Sequence, residues 1–141
     1  MEDPPSAGSA AHLFGLLRSL DLSPEDFAVF GSGPLLVRGI IDRAGDLDVI
    51  CRGAAWETVQ GLGPTIEQHG IPVLSLFDGL VTFGTRWAIG DFDVDRLIDT
   101  ADTLDGLPFV CLEHVVAYKR LADRPKDREH LRRFEEYQSE R

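Results

Sequence analysis

Residues 27–53 read FAVFGSGPLLVRGIIDRAGDLDVICRG, and the changes of hydrophobic period along this stretch decide the fold. Phe27 to Phe30 is a short apolar run of the kind a buried strand makes. It ends on Gly31-Ser32-Gly33-Pro34, a turn that can open a helix with Pro34 in its first turn. That helix is predicted to carry Leu35, Leu36, Ile40 and Ile41. From Asp46 to Cys51 acid and apolar residues alternate before the run becomes wholly apolar, the pattern of a second strand. The order is strand, Gly-Ser turn, helix, then a strand opened by paired aspartates.

Upstream, Leu13, Leu16, Leu17 and Leu20 fall at helical spacing and stop before Ser23-Pro24. Residues 1–10, rich in Pro, Ser, Gly and Ala, are expected to be a disordered tail, and residues 11–141 a single domain. Downstream, a helix is expected over 54–62, with a further turn over 65–69. The segments IPVLSLF, LVTF and WAIGDFDVD, spread over 71–95, are expected as strands. Two helices, over 112–123 and 127–137, flank Arg124-Pro125. The fold class that follows is α/β or α+β, a mixed sheet flanked by helices.

Composition narrows the function. The chain has 141 residues, 43% hydrophobic and 27% charged, enough for one conventional core and unlike a disordered or collagen-like chain. A net charge of −10 opposes adhesion to anionic membranes and argues against long nucleic acid as a partner. Eight of the fourteen basic residues and six of the twenty-four acids lie in 119–141, so that stretch carries +2 and the rest −12. Cys51 and Cys111 form no CxxC, so neither a disulfide framework nor a thiolate zinc site is suggested. With Glu2 and Asp3 where a signal peptide needs basic residues, and no long apolar run, a cytoplasmic location and no membrane insertion are expected.

Chemistry enters with Asp46 and Asp48. Residues two apart in a strand share a face, so these carboxylates project together while Leu47 and Val49 point into the opposite layer. Like charges so close raise each other's pKa unless a cation intervenes, and their hard oxygens suit Mg²⁺ better than zinc. Gly31 allows close backbone approach and Ser32 can donate to a phosphate at a helix start, which makes the turn a candidate phosphate cradle beside a metal site. It is no Walker A loop, for GxxxxGK[ST] is absent, and Leu36 occupies the third glycine position of the dinucleotide fingerprint. Asp91, Asp93 and Asp95 would share one face of a third strand. Asp93 and Asp95, each preceded by an apolar residue, are the better candidates for a third carboxylate meeting Asp46 and Asp48, as two-metal phosphoryl transfer requires.

Lys119 lies within the apolar arc that Leu112, Val115, Val116 and Ala122 define on their helix. An ammonium there must snorkel, meet a carboxylate or meet a ligand phosphate. Arg124 and Lys126 are expected to be exposed and can close the phosphate site from the following turn. His12, His69, His114 and His130 show no metal-ligand spacing and read as structural or solvent-facing, and Trp56 and Trp87 as core or pocket-floor residues.

The 27–53 stretch resembles the nucleotidyltransferase superfamily of DNA polymerase beta-like fold, whose signature is an apolar residue, Gly-Gly or Gly-Ser, a spacer, then acid, apolar, acid. The ending LEHVVAYKRLADRPKDREHL is similar to the tail of small, minimal bacterial members, including those related to the AbiEii-type toxins. The spacer of thirteen residues from Gly33 to Gly45 is long for the pattern, and no Ser or Thr directly precedes Asp46. The resemblance implies an Mg²⁺-dependent site for an NTP, ATP being the first expected. It implies transfer of a nucleoside monophosphate to a hydroxyl of a small molecule, a protein or an RNA end. It further implies that Gly31 and Ser32 hold the phosphates, Asp46 and Asp48 the metal ions, and Asp93 or Asp95 supplies the third carboxylate. The alternative is a catalytically silent module of the same fold that binds a nucleotide or a protein partner, such as one half of a toxin-antitoxin pair.

Overall fold

In the computed structural model, which describes residues 9–86 and 92–140, the quoted stretch forms β1 (Phe27–Phe30), α2 (Gly33–Val37) and β2 (Leu47–Cys51). It follows α1 (Ala10–Arg18), whose first turn is capped by Ser9 Oγ accepting from the His12 amide. Ser9 and Ala10, expected in the tail, therefore belong to this helix and its cap; residues 1–8 lie outside the described residues. α2 is shorter than its apolar pattern suggests because Gly39, at φ +74, turns the chain. Ile40 and Ile41 are buried all the same, as turn residues.

The chain continues through α3 (Gly53–Gln60), β3 (Ile66–Gln68), β4 (Ile71–Leu76), β5 (Val81–Gly84), α4 (Val94–Asp99), β6 (Asp102–Leu104), β7 (Leu107–Phe109), α5 (Leu112–Ala122) and α6 (Pro125–Ser139). One seven-stranded mixed sheet runs β3-β4-β5-β2-β1-β7-β6. β1 is antiparallel to β2 and parallel to β7, and β2 is parallel to β5. The hairpins β3-β4, β4-β5 and β6-β7 are antiparallel. The expected mixed sheet flanked by helices is what forms. No helix among the described residues is long and apolar enough to cross a membrane.

Three regions differ from expectation. Residues 66–68 are an edge strand and not a helical turn, because His69 and Gly70, both at positive φ, close a two-residue hairpin onto β4. Asp105-Gly106 closes β6 onto β7 in the same way, and neither strand is foreseen in the sequence reading. The strand expected across 91–95 is absent from its described part: Asp93 caps α4, its carboxylate accepting from the Arg96 amide at 3.3 Å. Val94, Leu97 and Ile98 are spaced for a helix, and burial of Leu97 and Ile98 outweighs the alternation of acids. Residues 87–91, with Trp87 and Asp91, lie outside the described residues.

The two faces of the sheet have different duties. Leu47, Val49, Val29, Phe83, Leu74 and Phe109 form an apolar face, on which Phe14 of α1 meets Phe109 edge to face at 5.3 Å. Gly33 lies so close to Val29 that an added Cβ would stand 2.3 Å from its Cγ1. On the other face, register aligns Phe30, Asp48, Thr82 and Ser75 in one row across four strands. Tyr118 of α5 and Phe92 cover Phe30, with ring centroids 4.9 and 5.9 Å away.

Candidate functional site

Antiparallel pairing of Phe30 with Asp48 brings the end of β1 beside the start of β2, and so sets Gly31 against the first acidic residue of the strand. Gly31 is at φ +65, and a Cβ there would lie 2.9 Å from Asp48 Oδ2. Both the left-handed backbone and the contact require glycine. Ser32 follows as the residue before α2, but its hydroxyl makes no capping bond. It instead accepts a hydrogen bond from Lys119 Nζ at 3.2 Å and lies 3.4 Å from His130 Nδ1.

Lys119 is 1% exposed, so snorkelling is closed to it, and of the three routes open to a buried ammonium the carboxylate is realised. Its Nζ reaches Asp127 Oδ1 at 3.4 Å, His130 Nδ1 at 3.1 Å and Ser32 Oγ, three acceptors for three N–H groups. Burial lowers the Lys119 pKa, and the Asp127 charge and hydrogen bond oppose that shift. Asp127 is fully buried at the third position of α6. Oδ2 accepts from the Arg124 amide at 3.1 Å and from Arg124 Nε at 2.6 Å, and Oδ1 from Arg124 Nη2 at 3.2 Å. Burial alone would raise its carboxyl; the Arg124 bonds and the Lys119 charge outweigh this and hold it below the ordinary range.

Arg124 and Lys126 are exposed, as expected, and with Lys119 they are the cations whose fields reach Asp48. Arg124 also stands 6.0 Å from the Tyr118 ring centroid. Asp48 itself is pushed up to about 6, by burial first and by Asp46 second, with the three cations pulling the other way. His130 is pushed down to about 4, chiefly by burial and then by Lys119, so it is neutral at pH 7. An acid whose charge is disfavoured sits beside a turn rich in donors and a cationic wall.

Of the residues singled out in the sequence, Gly31, Ser32, Asp46, Asp48, Lys119, Arg124 and Lys126 come together. Asp95 does not. It lies in the first turn of α4 and pairs through Oδ1 with Arg52 Nη1 at 2.8 Å; the same guanidinium holds Asp99 Oδ1 at 2.6 Å and Asp26 Oδ1 at 3.4 Å. Arg52 lies beyond the far end of β2, about 13 Å of extended chain from Asp48. Asp93 is spent as the exposed cap of α4. Neither aspartate joins Asp46 and Asp48 in a cluster of ligand atoms, since the one such triad among the described residues is Cys111, Glu113 and His114. Among the described residues the expected three-carboxylate centre is thus corrected to a pair: the position facing Asp48 on β5 is held by Thr82, whose hydroxyl is 2.9 Å from Ser75 Oγ.

Sequence reasoning missed Asp127, His130 and Tyr118. Asp127, His130, Phe134 and Tyr137 recur at three- and four-residue steps and form the inner stripe of α6, a signal that marks His130 as facing α5 and not solvent. The donor set at Asp46 and Asp48 fits a hard divalent cation, because an ion between the two would relieve the repulsion and desolvation that raise Asp48. The chain matches no family model, no curated protein and no solved structure.

Proposed function

We propose that the chain is a Mg²⁺-dependent nucleotidyltransferase, moving a nucleoside monophosphate from an NTP, ATP first among them, to an acceptor hydroxyl. The observation that carries this reading is the junction of three elements at one point. The glycine turn touches Asp48, and the turn's serine is hydrogen-bonded to a buried lysine within the field of Arg124 and Lys126. In the reaction the acceptor oxygen forms a bond to the α-phosphorus, the bond to pyrophosphate breaks, and the hydroxyl proton leaves to solvent or a base.

Each residue has a part in that account. Gly31 leaves the backbone bare for a phosphate to approach, and Ser32, whose oxygen is held by Lys119, keeps its own proton to donate. Arg124 and Lys126 neutralise the triphosphate from the open side. Asp46 and Asp48 would hold Mg²⁺, which when bound neutralises phosphate charge and polarises the transferred phosphoryl group. Asp127 is a positioning residue, fixing Lys119 and Arg124 together. The acceptor is a small molecule, a protein side chain or an RNA end, and the acidic surface disfavours long nucleic acid.

One observation favours a second reading, a silent module that binds a nucleotide or a partner protein in a cytoplasmic toxin-antitoxin pair. Asp93 and Asp95, the two expected sources of a third carboxylate for a two-metal centre, are engaged elsewhere, Asp95 with Arg52 and Asp93 as a helix cap. Labelled-NTP transfer across small-molecule, protein and RNA acceptors separates the two. Catalysis predicts Mg²⁺-dependent label transfer that is lost in Asp48→Asn. NTP binding by calorimetry without Mg²⁺ dependence or turnover would select the silent module, and no NTP binding would overturn both nucleotide readings.

A further inference from the structure

Outside that site, one cluster joins three different ligand types. Cys111 is the residue before α5, extended at φ −66 and ψ 151, and its side chain makes no capping bond. Its Sγ lies 3.9 Å from Glu113 Oε1, and Glu113 Oε1 lies 3.7 Å from His114 Nε2. All three donor atoms fall within 4.8 Å of one another. Metal-ligand bonds of about 2.0–2.3 Å in a tetrahedron place neighbouring donors about 3.3–3.8 Å apart, so a small closure of these side chains would complete three corners.

A second observation is independent of the spacing. His114 Nε2 is buried and has no hydrogen-bond partner, the sole such side-chain atom among the described residues. A buried imidazole nitrogen left without a partner costs free energy that a ligand bond would recover. We propose that Cys111, Glu113 and His114 form a site for a zinc-class divalent ion at the start of α5. Thiolate and imidazole favour such an ion over Mg²⁺, and three protein ligands leave one position for water or another donor. Glu113 also lines an open groove with Leu112, Phe134, Tyr137 and Gln138. The ion would tie the β7-α5 connection to the first turn of the helix that carries Tyr118 and Lys119. This site does not depend on the nucleotidyl-transfer reading, since it shares no ligand with Asp46 and Asp48.

Titration of the reduced, chelator-stripped full chain with Co²⁺ tests it, Co²⁺ giving tetrahedral d–d bands and a thiolate charge-transfer absorption. With excess Mg²⁺ present throughout to occupy Asp46 and Asp48, the expected result is one equivalent that gives the thiolate charge-transfer band, displaced by Zn²⁺. Cys111→Ser should abolish the charge-transfer band. His114→Ala and Glu113→Gln should each weaken binding by about tenfold or more, given that even outer-shell changes cost this much. Circular dichroism of each variant checks that it is folded. A charge-transfer band that survives Cys111→Ser would assign the thiolate to Cys51 and overturn the proposal. So would the absence of a stoichiometric thiolate charge-transfer band.

Discussion

Replacing Asp48 by Asn should stabilise the protein while disabling its proposed site. Folding raises this carboxyl from 3.8 to about 6, burial and Asp46 being the leading causes. Two pKa units at about 1.4 kcal/mol each amount to about 3 kcal/mol of strain in the ionised form at pH 7. The sign follows from proton linkage: between pH 3.8 and 6 the folded state holds a proton that the unfolded chain has released, so this group's contribution weakens stability as pH rises through that window. Below pH 3.8 both states are protonated and the penalty vanishes. Urea unfolding of parent and Asp48→Asn at pH 7 and pH 4 should show a gain of up to about 3 kcal/mol at the higher pH and little at the lower. Comparing the two proteins at each pH cancels groups common to both, including His130, whose slope runs the opposite way. Mg²⁺ should raise the melting temperature of the parent and not that of the variant. No gain at pH 7, or a gain equal at both pH values, would refute the claim that a half-buried, repelled carboxylate is held at this position.

Lys119→Met removes a buried ammonium and leaves Ser32 and His130 without their shared donor; unfolding free energy should fall by about 3 kcal/mol, read by urea titration, with Arg124 still holding Asp127. His130 is depressed to about 4, so its neutral form supports the fold above pH 6.5 and that support is lost as pH falls through 4; His130→Gln should flatten the acid limb of a stability-pH profile. Gly31→Ala must place a methyl group 2.9 Å from Asp48 Oδ2 on a left-handed backbone, costing about 1–2 kcal/mol in urea and displacing Asp48, so Mg²⁺ should no longer raise its melting temperature.

The stretch from Phe27 to Cys51 was legible because each change of period was short, complete and punctuated: four apolar residues, a Gly-Ser-Gly-Pro turn, then alternation from Asp46. Gly31, Ser32, Asp46 and Asp48 follow from that register alone. Lys119 stood out because a charge occupied an apolar arc, although its partner could not be named without the geometry of the α5-α6 corner, where Arg124 and Asp127 close the turn. Asp93 and Asp95 misled because three alternating acids mimic a strand, while Val94, Leu97 and Ile98 carry an equally good helical signal over the same residues. The Asp105-Gly106 hairpin was readable in principle, flanked as it is by Thr103-Leu104 and Leu107, but strands of three residues give too few positions for period to register.

The arrangement of charge favours the proposed ligand site at Asp48 over one at the buried lysine. Lys119 presents three donors to three acceptors, and Asp127 receives Arg124 through side chain and backbone, so this pair is internally satisfied and gains little from a further ion. Arg52 is likewise shared among Asp26, Asp95 and Asp99 at the opposite end of β2. Asp48 differs: the three nearby cations lower its pKa, yet burial and Asp46 still win. Binding free energy is available where the folded protein leaves a charge under-compensated, because a divalent ion there recovers what folding gave up. The antiparallel register that sets Phe30 opposite Asp48 places that charge beside Gly31, so the same β1-β2 pairing that builds the centre of the sheet also sets the position at which the proposed metal-bound phosphate would be accommodated.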